Sequence, residues 1–183
     1  MEQILEAFKT ISDKISTYQI FTFFYPGAVF LGLLSWTYDG EKPELSIWEG
    51  VFLCYTVGMI ISRIGTFIED FLFLIRIMNR IDYKKIITAE AIDAKVNMLL
   101  RISNMYRTMA AVFFSLIGFM AINVCHPLGF TFPKGMTCFS ILMIILFVYS
   151  FSKQYGYARE RVEHVCTNNN ILHNQQADNG NNS

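Results

Sequence analysis

Four long apolar runs divide this chain, and they constrain its fold more than any other feature. They cover Tyr18–Tyr38, Leu45–Ser62, Thr108–Cys125 and Met136–Ser152. Each run is close to the ~20 residues that an α-helix needs to cross a hydrocarbon core ~30 Å thick. Only 16% of the residues are charged, fewer than the ~25% usual in soluble domains. The sequence therefore predicts an all-α fold, an integral membrane four-helix bundle over residues 18–166 with cytoplasmic helical extensions.

The basic residues are distributed unevenly between the two sides of these runs. Most of the 15 basic residues lie in the N-terminal segment, the central connection and the C-terminal segment: Lys9, Lys14, Arg76, Arg80, Lys84, Lys85, Lys95, Arg101, Arg107, Lys153, Arg159 and Arg161. The other two connections hold only Lys42 and Lys134, and Arg63 lies at a membrane boundary. By the positive-inside rule, the N- and C-termini and the central connection are predicted to be cytoplasmic.

Three segments outside the runs have patterns of their own. Residues 1–17 place their large apolar side chains on one helix face, which predicts an amphipathic N-terminal helix. The cytoplasmic connection over 78–107 is predicted to be helical. Because neither Pro nor Gly interrupts it, we expect a single helix over about 88–124. Residues 167–183 are rich in Asn and predict a disordered tail, because they offer little apolar area to bury.

Small residues recur at every fourth position along the second helix. They are Gly50, Cys54, Gly58, Ser62 and Thr66. Small residues at this spacing let membrane helices approach closely, so these five are candidate helix-packing residues. The third run has a weaker pattern of this kind and the fourth has none. We therefore expect the first three helices to form the packed centre and the fourth to meet mostly lipid, with a kink at Pro26 in the first.

Charged residues at the inner end of the second helix form the strongest candidate site. Arg63, Glu69 and Asp70 lie at or just below the predicted inner boundary of the membrane. Ionisable groups at this depth are costly and usually pair inside a bundle. Two turns separate Arg63 from Asp70, so we expect Arg63 to meet an acid on another helix or subunit. Two alternatives stay open: Arg63 reaches the lipid phosphates by itself, or the charges bind a ligand or ion.

A second candidate site lies in the cytoplasmic connection. Ile92, Val96 and Leu99 mark one helix face, and together with Arg101 they are candidate residues for docking a partner protein. The formal net charge is zero, so there is no global basic field that would predict direct nucleic-acid binding.

Patterns that would indicate catalysis or a cofactor are absent from the sequence. It contains no HExxH, no GxSxG and no Gly-rich phosphate loop, and its three His lie in loops or the tail. The four Cys form no CxxC pair. Cys125 and Cys138 flank an outer loop, where they are either bridged or two apolar thiols. We therefore predict no metal, no cofactor and no enzymatic activity.

Part of the sequence resembles a group of small bacterial four-helix membrane proteins of antiphage defence clusters, among them the membrane subunits of Kiwa-type systems. The similar residues are Tyr25-Pro26-Gly27, Gly58-x-x-Ile61-Ser62-Arg63-x-Gly65-x-x-x-Glu69 and Asn104-Met105-Tyr106-Arg107. They fall within residues 20 to 110. The resemblance implies an inner-membrane homo-oligomer, expected to be a tetramer. It also implies that the protein senses phage-associated membrane disturbance and couples to a cytoplasmic DNA-binding effector.

These patterns favour a non-enzymatic membrane sensor or scaffold that docks a soluble partner through its cytoplasmic helices. The alternative is a small oligomeric channel or pore-forming effector. A pore needs polar residues along one helix, and only the second helix, with Thr56, Ser62, Arg63 and Thr66, comes near this requirement.

Overall fold

The computed structural model describes residues 20–38, 40, 44–76, 78–125, 129–133 and 135–180. A π-helical turn, Ile20–Phe24, leads into α1 (Tyr25–Thr37), which is followed by α2 (Ile47–Leu74), α3 (Tyr83–Ile92), α4 (Ala94–Cys125) and α5 (Met136–Gly180). Among the described residues the only β-structure is an isolated bridge between Tyr38 and Phe130. The predicted all-α fold is confirmed. The predicted amphipathic helix over 1–17 lies outside the described residues.

Three of the helices, α2, α4 and α5, are long and apolar enough to cross a membrane. The first predicted span is divided between the π-helical turn and α1, which has only 13 residues. Pro26 lies in the first turn of α1, directly after the π-helical turn. The chain thus changes helix type just before Pro26, and the predicted kink there stays a prediction.

Hydrogen bonds at its first turn define where α2 begins. Ser46 N donates to Glu49 Oε2 at 2.8 Å, and Glu49 N donates to Ser46 Oγ at 3.4 Å, which together form a capping box. At the other end, Arg76 adopts a φ of 57° and turns the chain away from the helix axis. With 28 residues, α2 is about 42 Å long. That is more than a hydrocarbon core requires, so its last turns extend beyond the apolar span.

The predicted continuous helix over 88–124 is wrong, because Asp93 separates α3 from α4. Its backbone is extended, with φ −132° and ψ 106°. Its carboxylate accepts hydrogen bonds from Lys95 N at 2.9 Å and from Arg161 Nε at 2.7 Å. An Asp side chain that binds nearby backbone in this way competes with the helical hydrogen bonds, so no Pro or Gly is needed for the break. The same two partners, the Lys95 N–H foremost, lower the pKa of Asp93.

The fourth predicted helix, α5, does not stand apart from the packed centre. Its contact with α4 is the most extensive between any two described helices. The ring of Phe113 on α4 stacks on Phe147 and meets Phe139 edge-on, each at a centroid distance of 5.9 Å. Aromatic side chains supply much of this contact, so an expectation based on small residues alone misses it.

The length of α5 also differs from the prediction. The sequence predicts a disordered tail after Cys166, whereas the helical backbone continues to Gly180. An Asn-rich composition limits what a segment can bury. It does not prevent an existing helix from adding one backbone hydrogen bond per residue.

Buried side chains form two separate clusters along the helices. The span core comprises Ile61, Ala111, Val112, Phe113, Leu116 and Met136. The stalk core comprises Leu72, Met78, Ile81, Ala89, Val96, Phe151, Tyr155 and Val162. Ile68 on α2 packs against both clusters. The helices α2, α4 and α5 therefore contribute to both cores, whereas α3 belongs to the stalk core alone.

Candidate functional site at the boundary between the two cores

An ion pair between α2 and α4 lies where the span core gives way to the stalk core. Arg107 Nη1 donates to Glu69 Oε2, and the two side chains are only 14% and 17% exposed. Glu69 follows Ile68, which contacts both cores, and Arg107 precedes Thr108, which is fully buried. Partly buried charges are poorly solvated, so each depends on the other for stabilisation. We call Glu69 and Arg107 the boundary pair.

A second ion pair lies beside the first but faces outward. Arg80 Nη2 contacts Asp70 Oδ1 at 3.3 Å, and both side chains are more than half exposed. The Arg80 guanidinium also lies 5.4 Å from the centre of the Phe73 ring. An exposed pair of this kind contributes little to stability, so its main effect is to hold Arg80 in place.

Within this chain Arg63 does not pair with an acid of another helix. Arg63 is exposed on α2. Glu69 and Asp70 pair with Arg107 and Arg80. Consecutive residues of a helix point ~100° apart, so Glu69 faces α4 while its neighbour Asp70 faces outward. That Arg63 meets an acid on another subunit stays a prediction.

A cavity of about 620 Å³ opens next to the boundary pair. It is lined by residues of α2, α3, α4, α5 and the connection between α2 and α3, among them Glu69, Arg80, Asp82, Ser103 and Tyr155. The hydroxyl of Tyr155 accepts the Ile81 N–H at 3.1 Å, which fixes the connection against α5. We call this the boundary cavity.

Two buried polar atoms on α4 near this cavity have no hydrogen-bond partner. They are Ser103 Oγ and Arg107 Nε, one helical turn apart. Buried polar groups are nearly always paired, so unpaired ones mark a place that calls for explanation.

The predicted helix-packing residues lie in different surroundings. A Cβ added at Gly58 would collide with the carbonyl of Phe23, and one at Gly27 would collide with the carbonyl of Cys54. Backbone therefore touches backbone where α2 meets the π-helical turn and α1. Ser62 is buried, and Thr66 donates to the Ser62 carbonyl at 3.3 Å. By contrast, Gly50 has open space at its Cβ position.

The predicted docking residues do not share one exposed face. Val96 is fully buried in the stalk core, so its assignment to a docking surface is wrong. The periodicity correctly marks an apolar face, but α5 of the same chain covers it. Ile92 is exposed, Leu99 is half-buried, and Arg101 is exposed beside a shallow groove that Met98 and Met105 also line.

The described residues offer no group of three or more His, Cys, Asp or Glu that could hold a metal ion. All four cysteines are free thiols, Cys125 and Cys138 included. The chemistry that the site does offer is hydrogen bonding and charge pairing at one depth of the helices.

Sequence reasoning missed Arg107, Tyr155 and Ser103 as members of the site. A partial signal for Arg107 was present, since it directly precedes the third apolar run, while Glu69 lies seven positions after the end of the second. Opposite charges near the ends of two neighbouring spans are candidates for pairing. Tyr155 and Ser103 carry no comparable signal, because their roles depend on how α3, α4 and α5 are placed.

Comparison of the chain with protein-family models, with curated proteins and with solved structures finds no match among any of them.

Proposed function

We propose that this protein is a multi-pass membrane protein of the bacterial inner membrane, crossing the bilayer four times with both termini in the cytoplasm. The supporting observation is the outward-facing apolar surface of the three long helices. Large side chains such as Phe52, Ile145 and Leu142 are 73%, 63% and 63% exposed. A water-soluble protein rarely exposes so large a contiguous apolar surface. The sidedness of the basic residues supports the orientation.

Within this arrangement, the protein acts as a non-enzymatic sensor or scaffold that couples a change in the membrane to its cytoplasmic helices. The observation that carries this function is the boundary pair. It joins α2 to α4 between a core that lies within lipid and a core that lies in water. When the spans shift so that α2 moves relative to α4, the boundary pair is strained. The shift is thereby passed to α3 and the second half of α5. Such coupling requires two arrangements whose populations the membrane can shift.

The stimulus and partner follow from the resemblance to defence-cluster membrane proteins. We propose that the protein takes part in antiphage defence as a homo-oligomer, docks a cytoplasmic effector, and binds no nucleic acid itself. Met98 and Arg101 provide an exposed surface for such docking on α4, and Ile92 is a further exposed apolar residue on α3.

The competing function is a channel, and the polar side chains of α2 argue against it. Thr56 Oγ1 donates to the Phe52 carbonyl at 2.9 Å, and Thr66 Oγ1 donates to the Ser62 carbonyl at 3.3 Å. A hydroxyl that donates to a carbonyl of its own helix has less hydrogen-bonding capacity left for a passing ion. Conductance in planar bilayers tests this alternative directly.

Hydrogen exchange in lipid vesicles tests the coupling. The purified protein is reconstituted in short-chain and in long-chain phosphatidylcholine, and exchange is followed in α3, which lies outside the spans. We expect α3 exchange to differ between the two thicknesses in the native chain, and this difference to vanish in Glu69→Gln. Asp70→Asn, which breaks only the exposed pair, is the matched control and should keep it.

The same variants allow a cellular test. At equal membrane levels, Glu69→Gln should lose protection against phage while Asp70→Asn and Arg63→Gln retain it. If α3 exchange in the native chain is indifferent to bilayer thickness, the coupling function is wrong.

A further inference from the structure

We propose that the boundary cavity binds the phosphodiester headgroup of a phospholipid from the inner leaflet. This inference rests on the membrane placement proposed above and names a ligand for the same region. The cavity's position, its size and the donors that line it carry the inference.

Two hydroxyl donors face the cavity without an acceptor. Ser103 lines the cavity, is only 1% exposed, and its hydroxyl is unpaired. Tyr155 Oη accepts a backbone N–H and therefore keeps its own proton to donate. The two carboxylates of the lining each already accept a hydrogen bond, Glu69 from Arg107 and Asp82 from Lys84 N at 3.1 Å. The oxygens of a phosphodiester are acceptors that can receive both hydroxyls.

The cavity also offers a positive charge. Arg80 lines the cavity with its guanidinium more than half exposed, so the cation is reachable from outside. The acid nearest to it, Asp70, is itself exposed and holds Arg80 through a single contact at 3.3 Å. Because arginine offers five N–H donors, this contact leaves others for a phosphate oxygen.

Apolar side chains distinguish a lipid headgroup from a free phosphate. Ile86 and Leu100 line the cavity together with the polar residues. Inorganic phosphate would gain nothing from these apolar side chains, whereas a phospholipid uses both parts of the lining. Pockets between membrane helices on the cytoplasmic side that carry basic residues, here Arg80, are a known location for headgroups.

The test is lipid retention by the full chain. The protein is extracted from membranes in mild detergent, washed exhaustively, and analysed by native mass spectrometry. We expect the native chain to keep one phospholipid per chain. Arg80→Gln and Tyr155→Phe should each reduce that occupancy about tenfold, the size of losing one charge-assisted hydrogen bond. Lys84→Gln is the matched control, since Lys84 is an exposed cation on the neighbouring turn that does not line the cavity.

Two further measurements make every outcome decisive. Delipidated protein is titrated with phosphatidylethanolamine, phosphatidylglycerol or inorganic phosphate, and lipid should bind at least tenfold more tightly than inorganic phosphate. Circular dichroism establishes that both cavity variants are folded. Equal lipid retention in Arg80→Gln, Tyr155→Phe and the native chain overturns the proposal. Retention of no lipid by the native chain, or preference for inorganic phosphate, overturns it as well. Carbonate extraction measures insertion independently, so a failure of membrane placement is distinguished from a failure of lipid binding.

Discussion

The span core and the stalk core share α2, α4 and α5, and both bury large side chains. Beside the span core, backbone also meets backbone, where Gly58 of α2 and Gly27 of α1 allow a close approach. The stalk core depends on large side chains such as Phe151 and Val162, which are 2% and 0% exposed. In lipid, burying an apolar side chain between helices gains little free energy over leaving it in contact with lipid. The fit between helices therefore determines the stability of their packing. In water, burial itself is the driving force. The same kind of substitution should therefore act differently on the two sides of the boundary pair.

The largest effect should come from adding bulk to the span core. In Gly58→Leu the new side chain collides with the Phe23 carbonyl, which is backbone and cannot rotate away. We expect a loss of more than about 3 kcal/mol, the upper end of overpacking costs. Thermal unfolding in detergent measures it. Gly50→Leu is the control, since its Cβ position is open. Equal losses in both variants would show that close approach does not govern this core.

Removing bulk from the stalk core should have the next largest effect. Phe151→Ala leaves a cavity around a side chain that is 2% exposed, and the expected cost is about 3–5 kcal/mol. Hydrogen exchange should rise in α3 and in residues 150–166 while α2 near Gly58 stays protected. Leu146→Ala, on the exposed side of the same helix, should cost less than about 1 kcal/mol. Uniform exchange over both cores would show that they unfold as one unit.

A glycine in the stalk should respond in the opposite direction to Gly58. Nothing lies within 4 Å of a Cβ built at Gly156. Gly156→Ala should therefore stabilise the protein by about 0.5–1 kcal/mol, because alanine loses less backbone freedom when it enters a helix. Chemical denaturation measures the gain. A loss of stability in Gly156→Ala would mean that Gly156 makes a close contact with another subunit in the oligomer.

The smallest effect should be the pH dependence of the α3–α4 break. The pKa of Asp93 is lowered in the folded protein, first by the Lys95 N–H and then by Arg161. Its contribution to stability is thus complete above the unfolded pKa of about 3.9 and is lost as pH falls through the lower folded value. Hydrogen exchange of α3 between neutral pH and about pH 3 should show this loss in the native chain. Asp93→Asn should remove that dependence, and Asp82→Asn should not.

The sequence predicts the long apolar helices because apolar length is a local property. It singles out Glu69 as a candidate site residue but does not give its partner, since the pattern along α2 gives the direction in which Glu69 points and not which helix lies there. Arg107 becomes the partner only when α4 is packed against α2.

Val96 illustrates the same limit in the stalk. Its periodicity correctly identifies an apolar face, but the covering element is α5 of the same chain. Residues 153–166 carry many charges and no long apolar run, so they give little sign that Val162 and Tyr155 reach across to that face. The break at Asp93 is only partly hidden: its carboxylate binds the nearby Lys95 N–H, which is a local signal, and also Arg161, 68 positions away.

The unbroken length of α5 has a mechanical consequence. With 45 residues, the helix is a rod about 67 Å long, and a tilt of about 5° at one end moves the other by roughly 6 Å. Its outer end contacts α4 through Phe139, and its inner half holds Asp93 through Arg161. Because Arg161 on this rod holds Asp93, a displacement of that part of α5 would act directly on the extended residue that separates α3 from α4.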